Sequence, residues 1–412
     1  MTLATKSPWP ADDFTRVPYW VYDDPDVYRQ EQEGIYFGPV WNYLGLEAEI
    51  AQPGDYKTTF VGDMPVVLSR APDGAIHAFE NRCAHRGALL ALKNKGRAKD
   101  FVCSYHAWRH DCEGNLVNAT FSRGVNGQGG MPADFDRSHY GPRKLRVTTL
   151  CGLVFGTLSD ATPPIEEHLG EAVTARLKRV LRKPLRIYGT CNQVLPNNWK
   201  LYFENVKDTY HSSLLHTFFA TFKVSRLSQG GGVIVSESGG HHVSYSLSHK
   251  GGEDSEFEKE RLRANQEQQF TLQDKSVLDI VDEFGDGCHV QILSIFPGFV
   301  LQAIHNSLAI RHIQPKGTKE THLIWTMIGF EDDDERLQTL RMKHANLVGP
   351  AGFVSMEDGA VGGFVQRGCA GSPNESTVVL MGGRSTETST SRASENSIRG
   401  FWKHYRKHVS LS

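Results

Sequence analysis

Two short segments constrain this chain more than any other feature. Asn81-Arg82-Cys83-Ala84-His85-Arg86-Gly87 and Phe101-Val102-Cys103-Ser104-Tyr105-His106-Ala107-Trp108 each carry one thiol and one imidazole. A hairpin between them would bring four metal-grade ligands together. Gly87 follows the first segment and Gly114 the second, as the close approach of two loops requires. A Cys₂His₂ set suits either of two centres. Tetrahedral zinc needs only a closed shell. A Rieske-type [2Fe–2S] cluster takes both thiolates on one iron and both imidazoles on the other. One Cys and one His per loop favours the cluster, because each loop then straddles both irons.

These loops occupy a fraction of 412 residues, a length that at roughly 150 residues per domain predicts two to three domains. The chain is 39% hydrophobic and 22% charged with a formal net charge of −2. That balance excludes disorder and a disulfide scaffold, and it excludes nucleic-acid binding as the main activity. No apolar run reaches the roughly 18 residues of a membrane span, and the start, MTLATKSPWPADDF, lacks a signal-peptide core. Seven scattered cysteines read as reduced thiols or ligands. The expectation is a cytoplasmic protein with no membrane and no nucleic-acid partner. Cys112, Cys151, Cys191, Cys288 and Cys369 are expected to be small core residues.

Strand and turn signals divide the chain. Residues 44–158 alternate β-branched runs with turns: Thr58–Arg70, then Pro72-Asp73-Gly74, then Ala75–Glu80, a Gly-rich loop at Gly124–Gly130, and Leu145–Leu158. This predicts a small antiparallel β domain, preceded by an N-terminal helical segment at 1–43 that packs on the later domain. Pro163-Pro164 marks a linker into residues 159–412. There Ile165–Arg182 and Asn198–Phe219 read as helices, and Val233–Leu247, Val290–Gln314 and Thr321–Phe330 as long strands, the last two joined by a hairpin at Pro315–Glu320. Residues 251–284 are highly charged and read as a solvated helix or lid. Ser391–His408 reads as an amphipathic helix with Ile398, Phe401, Trp402 and Tyr405 on its apolar side, and its basic end 403–408 as a solvated or interface face. The fold class is α+β.

A second constellation lies in Phe203–His216. Asp208 and His211 share a helix face, whereas His211 and His216 are about 140° apart on an ideal helix. The two imidazoles can share a metal only if the helix ends or distorts between them, with Ser212-Ser213 a candidate break. Alone, they also suit ordinary packing. Glu357-Asp358 stands among apolar and glycine residues, where a carboxylate needs a partner. It suits either a capping pair or a third ligand. Two histidines and one carboxylate would form the facial triad of a mononuclear non-haem Fe(II) centre, the electron acceptor that a Rieske cluster requires. His241 and His242, adjacent on a strand, point to opposite faces and cannot share a metal.

Three motifs carry a resemblance: C-x-H-x₁₇-C-x-x-H at 83–106, E-N-x-x-D-x-x-H-x₄-H at 204–216, and GFVSMEDG around Asp358. Over nearly its whole length the chain resembles the large (α) subunit of Rieske non-haem iron ring-hydroxylating oxygenases. The resemblance implies a Rieske domain followed by a helix-grip catalytic domain. It implies Cys83, His85, Cys103 and His106 on a [2Fe–2S] cluster, and His211, His216 and Asp358 on the mononuclear iron. Asn205 would lie close to that iron. Asp208 would bridge it to His106 of the neighbouring subunit in a head-to-tail homotrimer, with or without a small β subunit. Many relatives carry Asp-Asp where this chain has Glu357-Asp358. Gly230-Gly231-Gly232 lacks the G-x-G-x-x-G spacing, so NADH electrons are expected through a separate reductase. The reaction implied is cis-dihydroxylation by O₂ of a carboxylated aromatic ring, terephthalate foremost.

Such a substrate needs buried cations, and arginine offers bidentate geometry. Arg311 interrupts the apolar strand SLAIRHIQ. Arg392 falls in the expected first turn of the C-terminal helix, where the helix dipole disfavours a cation and a specific partner would explain it. Both are candidate carboxylate clamps. The competing readings are a Rieske monooxygenase of the salicylate 5-hydroxylase type, an anthranilate dioxygenase, and a non-catalytic protein with structural zinc and an apolar ligand.

Overall fold

The computed structural model describes residues 6–222, 224–248 and 271–410. The chain divides into two compact units, Tyr36–Ile165 and the combination of Met1–Ile35 with Glu166–Ser412.

In the smaller unit, β1 (Asn42–Leu46), β2 (Asp55–Val61), β3 (Met64–Arg70), β4 (Ile76–Glu80), β5 (Lys95–Arg97), β9 (Lys144–Leu150) and β10 (Leu153–Thr157) form an antiparallel sheet in the order β1-β10-β9-β4-β3-β2-β5. β6 (Asp100–Val102), β7 (Arg109–Asp111) and β8 (Leu116–Asn118) form a second, three-stranded sheet. The runs Thr58–Arg70 and Leu145–Leu158 are each a hairpin, folded at Gly62 (φ 57°) and at Cys151-Gly152 (φ 54° and 79°). A core of Tyr56, Val67, Phe79, Phe101, Trp108 and Leu116 packs around Cys83 and Cys103.

The larger unit is built on seven antiparallel strands, β11 (Leu185–Leu195), β12 (Gly231–Val235), β13 (His242–Leu247), β14 (Cys288–Ile295), β15 (Phe299–Ile304), β16 (Ser307–Pro315) and β17 (Thr321–Phe330), in the order β11-β17-β16-β15-β14-β13-β12. Val233–Leu247 is thus a hairpin, not one strand, turning at Gly239 (φ 85°). Val290–Gln314 is parts of three strands. Of the expected N-terminal segment 1–43, the part up to Ile35 belongs to this unit and residues 36–43 to the smaller one. From α1 (Pro25–Glu31), Glu31 Oε1 accepts from Lys200 Nζ at 2.6 Å and from Tyr405 OH at 2.5 Å, and Tyr22 OH donates to Glu204 at 2.6 Å.

The helices depart from the sequence expectation at four places, each with a local cause. Ile165–Arg182 splits into α2 (Ile165–Leu169) and α3 (Glu171–Val180) because Gly170 adopts φ 78°. Asn198–Phe219 is not continuous. α4 (Trp199–Asn205) starts under the Asn198 cap, and the chain then leaves the helix where Asp208 Oδ1 captures Tyr210 N at 2.8 Å. Such side-chain capture competes with helical hydrogen bonds. α5 (Ser212–Leu215) and α6 (Thr217–Thr221) follow, separated at His216 (ψ 85°). The breaks therefore fall before His211 and at His216, not at Ser212-Ser213.

The long helices α7 (Glu335–Val348) and α8 (Phe353–Cys369) run as single pieces. The last helix, α9, spans Asn396–Tyr405, so Arg392 precedes it instead of lying in its first turn. Ser389, Ser391 and Ser394 accept from the backbone N–H of Ser391, Ala393 and Asn396, which holds this stretch in successive turns. Ile398, Phe401, Trp402 and Tyr405 are buried as expected, but the basic end is not a wholly solvated face: His404 and Tyr405 are buried too. Of the five remaining cysteines, 112, 288 and 369 are buried, Cys151 is half-buried, and Cys191 is exposed because β11 is an edge strand. Of the charged stretch 251–284, residues up to 270 lie outside the described residues, and Lys275–Leu278 is a 3₁₀ turn.

Candidate metal centres and substrate cavity

The two Cys/His loops are built alike. In the first, Cys83 N donates to Ala88 O at 2.8 Å and Gly87 N to Cys83 O at 2.9 Å; in the second, Cys103 N donates to Trp108 O at 2.8 Å and Ala107 N to Cys103 O at 2.9 Å. The position equivalent to Gly87 (φ 74°) is Ala107 (φ 54°), not Gly114, which instead turns the chain between β7 and β8. Four residues after each cysteine the chain takes a left-handed conformation, which aims the ligands of both loops at one place. Cys83 and Cys103 are 1% and 3% exposed, whereas His85 is exposed and His106 half-buried. The two imidazole centroids lie 4.4 Å apart, and His85 stacks on Trp108 at 4.7 Å and 11°. Burial pushes the Cys83 thiol up, and its hydrogen bond with Cys103 adds to this. Thiols paired on the inside and imidazoles paired on the outside are the donor sorting that a Rieske cluster requires.

In the larger unit, ligand atoms of His211, His216 and Asp358 all lie within 4.8 Å of one another. His211 Nε2 is 3.4 Å and His216 Nε2 3.3 Å from Asp358 Oδ1. The interrupted helix makes this possible, since His211 precedes α5 and His216 separates it from α6. Asp358 comes from the middle of α8, whose glycine-rich face lets Gly362 and Gly363 approach Asn197 and Pro196 closely. Behind each imidazole stands a second carboxylate. Asp208 Oδ2 is 3.2 Å from His211 Nδ1, and Glu357 Oε2 is hydrogen-bonded to His216 Nδ1 at 2.8 Å. Asn205 Nδ2 donates to Asp358 Oδ1 at 3.2 Å.

The electrostatics follow from this crowding. Burial opposes charge on His211, but Asp208 and Asp358 outweigh it and raise its pKa to about 10. His216 moves the same way, raised by Asp358 and Glu357 against burial. Burial would push the Asp358 carboxyl up, yet the two histidines hold it well below the usual carboxylate range. Two nitrogens and one buried oxygen converging on one point, each nitrogen backed by a carboxylate, fit a single small cation with open positions.

This triad borders a cavity. Asn205, Asp208 and both candidate arginines line it, with Ser225, Val290, Ile292 and Ile304 among the remaining walls. Arg311 and Arg392 are 4% and 5% exposed. Arg311 Nη1 donates to Tyr202 OH at 2.8 Å, its Nη2 to Gln302 Oε1, and its guanidinium lies 4.5 Å over the Trp325 ring. Arg392 donates to Arg226 O, to Ser225 Oγ at 2.8 Å and to Ser212 Oγ at 3.3 Å. Burial lowers its pKa to about 10. Neither has a carboxylate partner among the described residues. Tyr202, Gln302 and Trp325 were not singled out in the sequence. A lone amide in the buried strand Phe299–Ile304 was the available signal for Gln302.

The model of the Rieske [2Fe-2S] domain matches residues 40–127, and that of the ring hydroxylating alpha subunit (catalytic domain) matches residues 174–411. The terephthalate 1,2-dioxygenase terminal oxygenase component subunit alpha 2 of Comamonas sp. is 55% identical over 97% of both chains. The anthranilate 1,2-dioxygenase large subunit of Burkholderia cepacia is 44% identical over 97% of this chain and 94% of its own. The large oxygenase component of salicylate 5-hydroxylase from Ralstonia sp. is 39% identical over 97% and 95%. In fold, naphthalene 1,2-dioxygenase from Rhodococcus sp. superposes with a TM-score of 0.79 over 95% of this chain and 94% of its own, at 20% identity. A helical and antiparallel α+β fold, a Rieske domain, a catalytic-domain match over more than half the chain and identity this high over almost its full length lead to one conclusion: the chain belongs to the α subunits of the Rieske ring-hydroxylating dioxygenases, whose cofactors are a [2Fe–2S] cluster and a non-haem iron.

Proposed function

We propose that this chain is the terminal oxygenase that cis-dihydroxylates terephthalate, drawing electrons from NADH through a separate reductase. The observation that carries the substrate is the pair of buried arginines on the wall of the triad's cavity. Among the described residues each is bound only to neutral acceptors, while Asp208, Glu357 and Asp358 are engaged with histidines. A cavity with two uncompensated cations favours a dianion, because a desolvated charge needs an opposite one. The 55% identity to a terephthalate dioxygenase subunit supports the same reading. Benzoate-like rings with a single carboxylate would leave one cation unanswered.

In this reading His211, His216 and Asp358 hold the iron, and Cys83, His85, Cys103 and His106 hold the cluster. When bound, these groups supply one-electron transfer and the activation of O₂. The chain's own residues do the rest. Arg311 and Arg392 bind the carboxylates and so fix which ring edge faces the triad. Asn205 orients Asp358 through its 3.2 Å hydrogen bond. Glu357 and Asp208 hold the His216 and His211 rings from behind, and a fifth of the Asp208 side chain stays open to solvent, available to His106 of the partner subunit in a trimer. The ring gains two hydroxyls on one face as O₂, two electrons and two protons are consumed, so the product is a non-aromatic dihydrodiol dicarboxylate.

Product analysis with terephthalate, O₂, NADH and a compatible reductase tests this. A cis-dihydrodiol dicarboxylate supports it. Hydroxylation of salicylate or anthranilate with terephthalate untouched overturns the substrate. Arg311→Leu should cost about 2–5 kcal/mol in kcat/KM for the diacid, as for truncating one partner of a buried charged contact, with both iron centres retained.

A further inference from the structure

We propose that position 302, which does not line the cavity, sets the charge that the cavity offers: as glutamine it orients Arg311 without neutralising it, and so selects carboxylated rings over uncharged ones. The inference rests on the reading of Arg311 as a carboxylate clamp.

Gln302 is the one side chain of β15 with hydrogen-bonding groups, in a strand buried at every position, and it is itself fully buried. It pairs with Ala309 across β15 and β16, two residues from Arg311, so both side chains stand on the same sheet face within diagonal reach. A guanidinium can only donate, so the amide oxygen must be the end that faces it. The amide Nε2 has no hydrogen-bond partner among the described residues. An unpaired buried N–H lowers stability, a cost that a methionine in this strand would avoid.

A second buried arginine of the same unit shows the alternative. Arg341, 2% exposed, is enclosed by Asp333 at 2.5 and 2.9 Å and by Glu283 at 2.7 Å. Its charge is answered within the protein. Arg311 is equally enclosed, but by a phenol, an amide and an indole ring, all neutral. Glutamate has the length and shape of glutamine. At 302 it would close an ion pair of the Arg341 kind and leave the cavity wall without its cation. The amide is therefore a specificity-determining positioning group that acts through Arg311.

The test uses the reconstituted enzyme with its reductase, comparing terephthalate with its uncharged diamide, and measuring KM, kcat, iron content and the visible spectrum of the cluster. Gln302→Glu is expected to raise the terephthalate KM at least tenfold, with kcat changed far less, iron and cluster intact, and preference for diacid over diamide reduced in proportion. Gln302→Met, which removes orientation but adds no charge, is expected to raise the KM two- to fivefold and keep the preference. Arg311→Gln tests the underlying clamp. If it raises the KM while Gln302→Glu leaves it within twofold, the inference falls and the clamp stands. If neither moves it, the clamp falls as well. Should Gln302→Glu not fold, loss of the diacid preference in Gln302→Met overturns the proposal by itself.

Discussion

The two imidazole pairs of this molecule are built on opposite principles. His85 and His106 sit at the surface, packed against aromatic rings: Trp108 stacks on His85, and Tyr105 lies 3.9 Å from His106. His211 and His216 are withdrawn, and each meets one carboxylate at Nε2 and another at Nδ1. The first pair is placed by backbone geometry, since the matched left-handed residues Gly87 and Ala107 aim the loops. The second pair is placed by side chains, because the backbone there is broken into short helical pieces that could not hold a ligand set alone. The first pair is open to solvent, whereas each ring of the second is held between two carboxylates.

If that contrast is right, the two centres should fail separately. Asp358→Ala is expected to remove the mononuclear iron and reduce turnover by more than about a thousandfold, the loss of a group the reaction cannot do without, while the reddish cluster spectrum persists. Loss of the cluster spectrum in that variant would break the distinction. Glu357→Gln should weaken iron binding or activity by roughly 10- to 100-fold, the range for a residue that orients a metal-bound histidine. Iron titration of apoprotein checks it, and an unchanged affinity would make Glu357 a bystander.

A third group of histidines sharpens the comparison because, among the described residues, it has neither metal geometry nor acids. His241, His404 and His408 pack around Phe296 and His168 packs on His241, with ring centroids of His168 and His241 4.8 Å apart and those of His404 and His408 4.7 Å apart. Burial, then the neighbouring imidazoles, pull His168 to about 4 and His404 to about 3. Their folded pKa values lie below the ordinary 6.5, so the unfolded chain takes up protons first and the stability they contribute is lost as pH falls from about 6.5 towards 4. Denaturant midpoints over that range should drop, and His404→Gln should flatten the slope. An unaltered slope would show that the cluster is not what limits acid stability. The smallest effect is expected for Cys191→Ser on the exposed edge strand, within about 0.5 kcal/mol by thermal unfolding.

How much was legible in the sequence follows the same divide. The Cys/His loops are local, so spacing alone brings their ligands near one another, and even there the residue matching Gly87 was Ala107, which glycine counting could not find. The triad was half legible. Glu357-Asp358 stood out as acids in an apolar stretch, but the route by which His211 and His216 meet depends on Asp208 capturing the Tyr210 N–H, a competition periodicity does not see. Arg392 shows the same blindness: its serine neighbours hold turns where an apolar stripe suggested helix. The setting of Arg311 was invisible, because Gln302 and Trp325 reach it through cross-strand register and Tyr202 from a separate helix.

The sorting of thiols and imidazoles in the two Cys/His loops has one more consequence. The sulfur atoms of Cys83 and Cys103 are enclosed in the hydrophobic core of their unit, while the imidazoles reach outward. Thiolates are the oxidisable ligands, and their susceptibility follows exposure. In the proposed role the chain works with O₂, so an exposed thiolate there would be at risk of oxidation. Were these four residues to hold the family's cluster, its oxidisable thiolates would be shielded and its outward side would carry imidazoles, so electrical access and chemical durability would come from the same pair of loops.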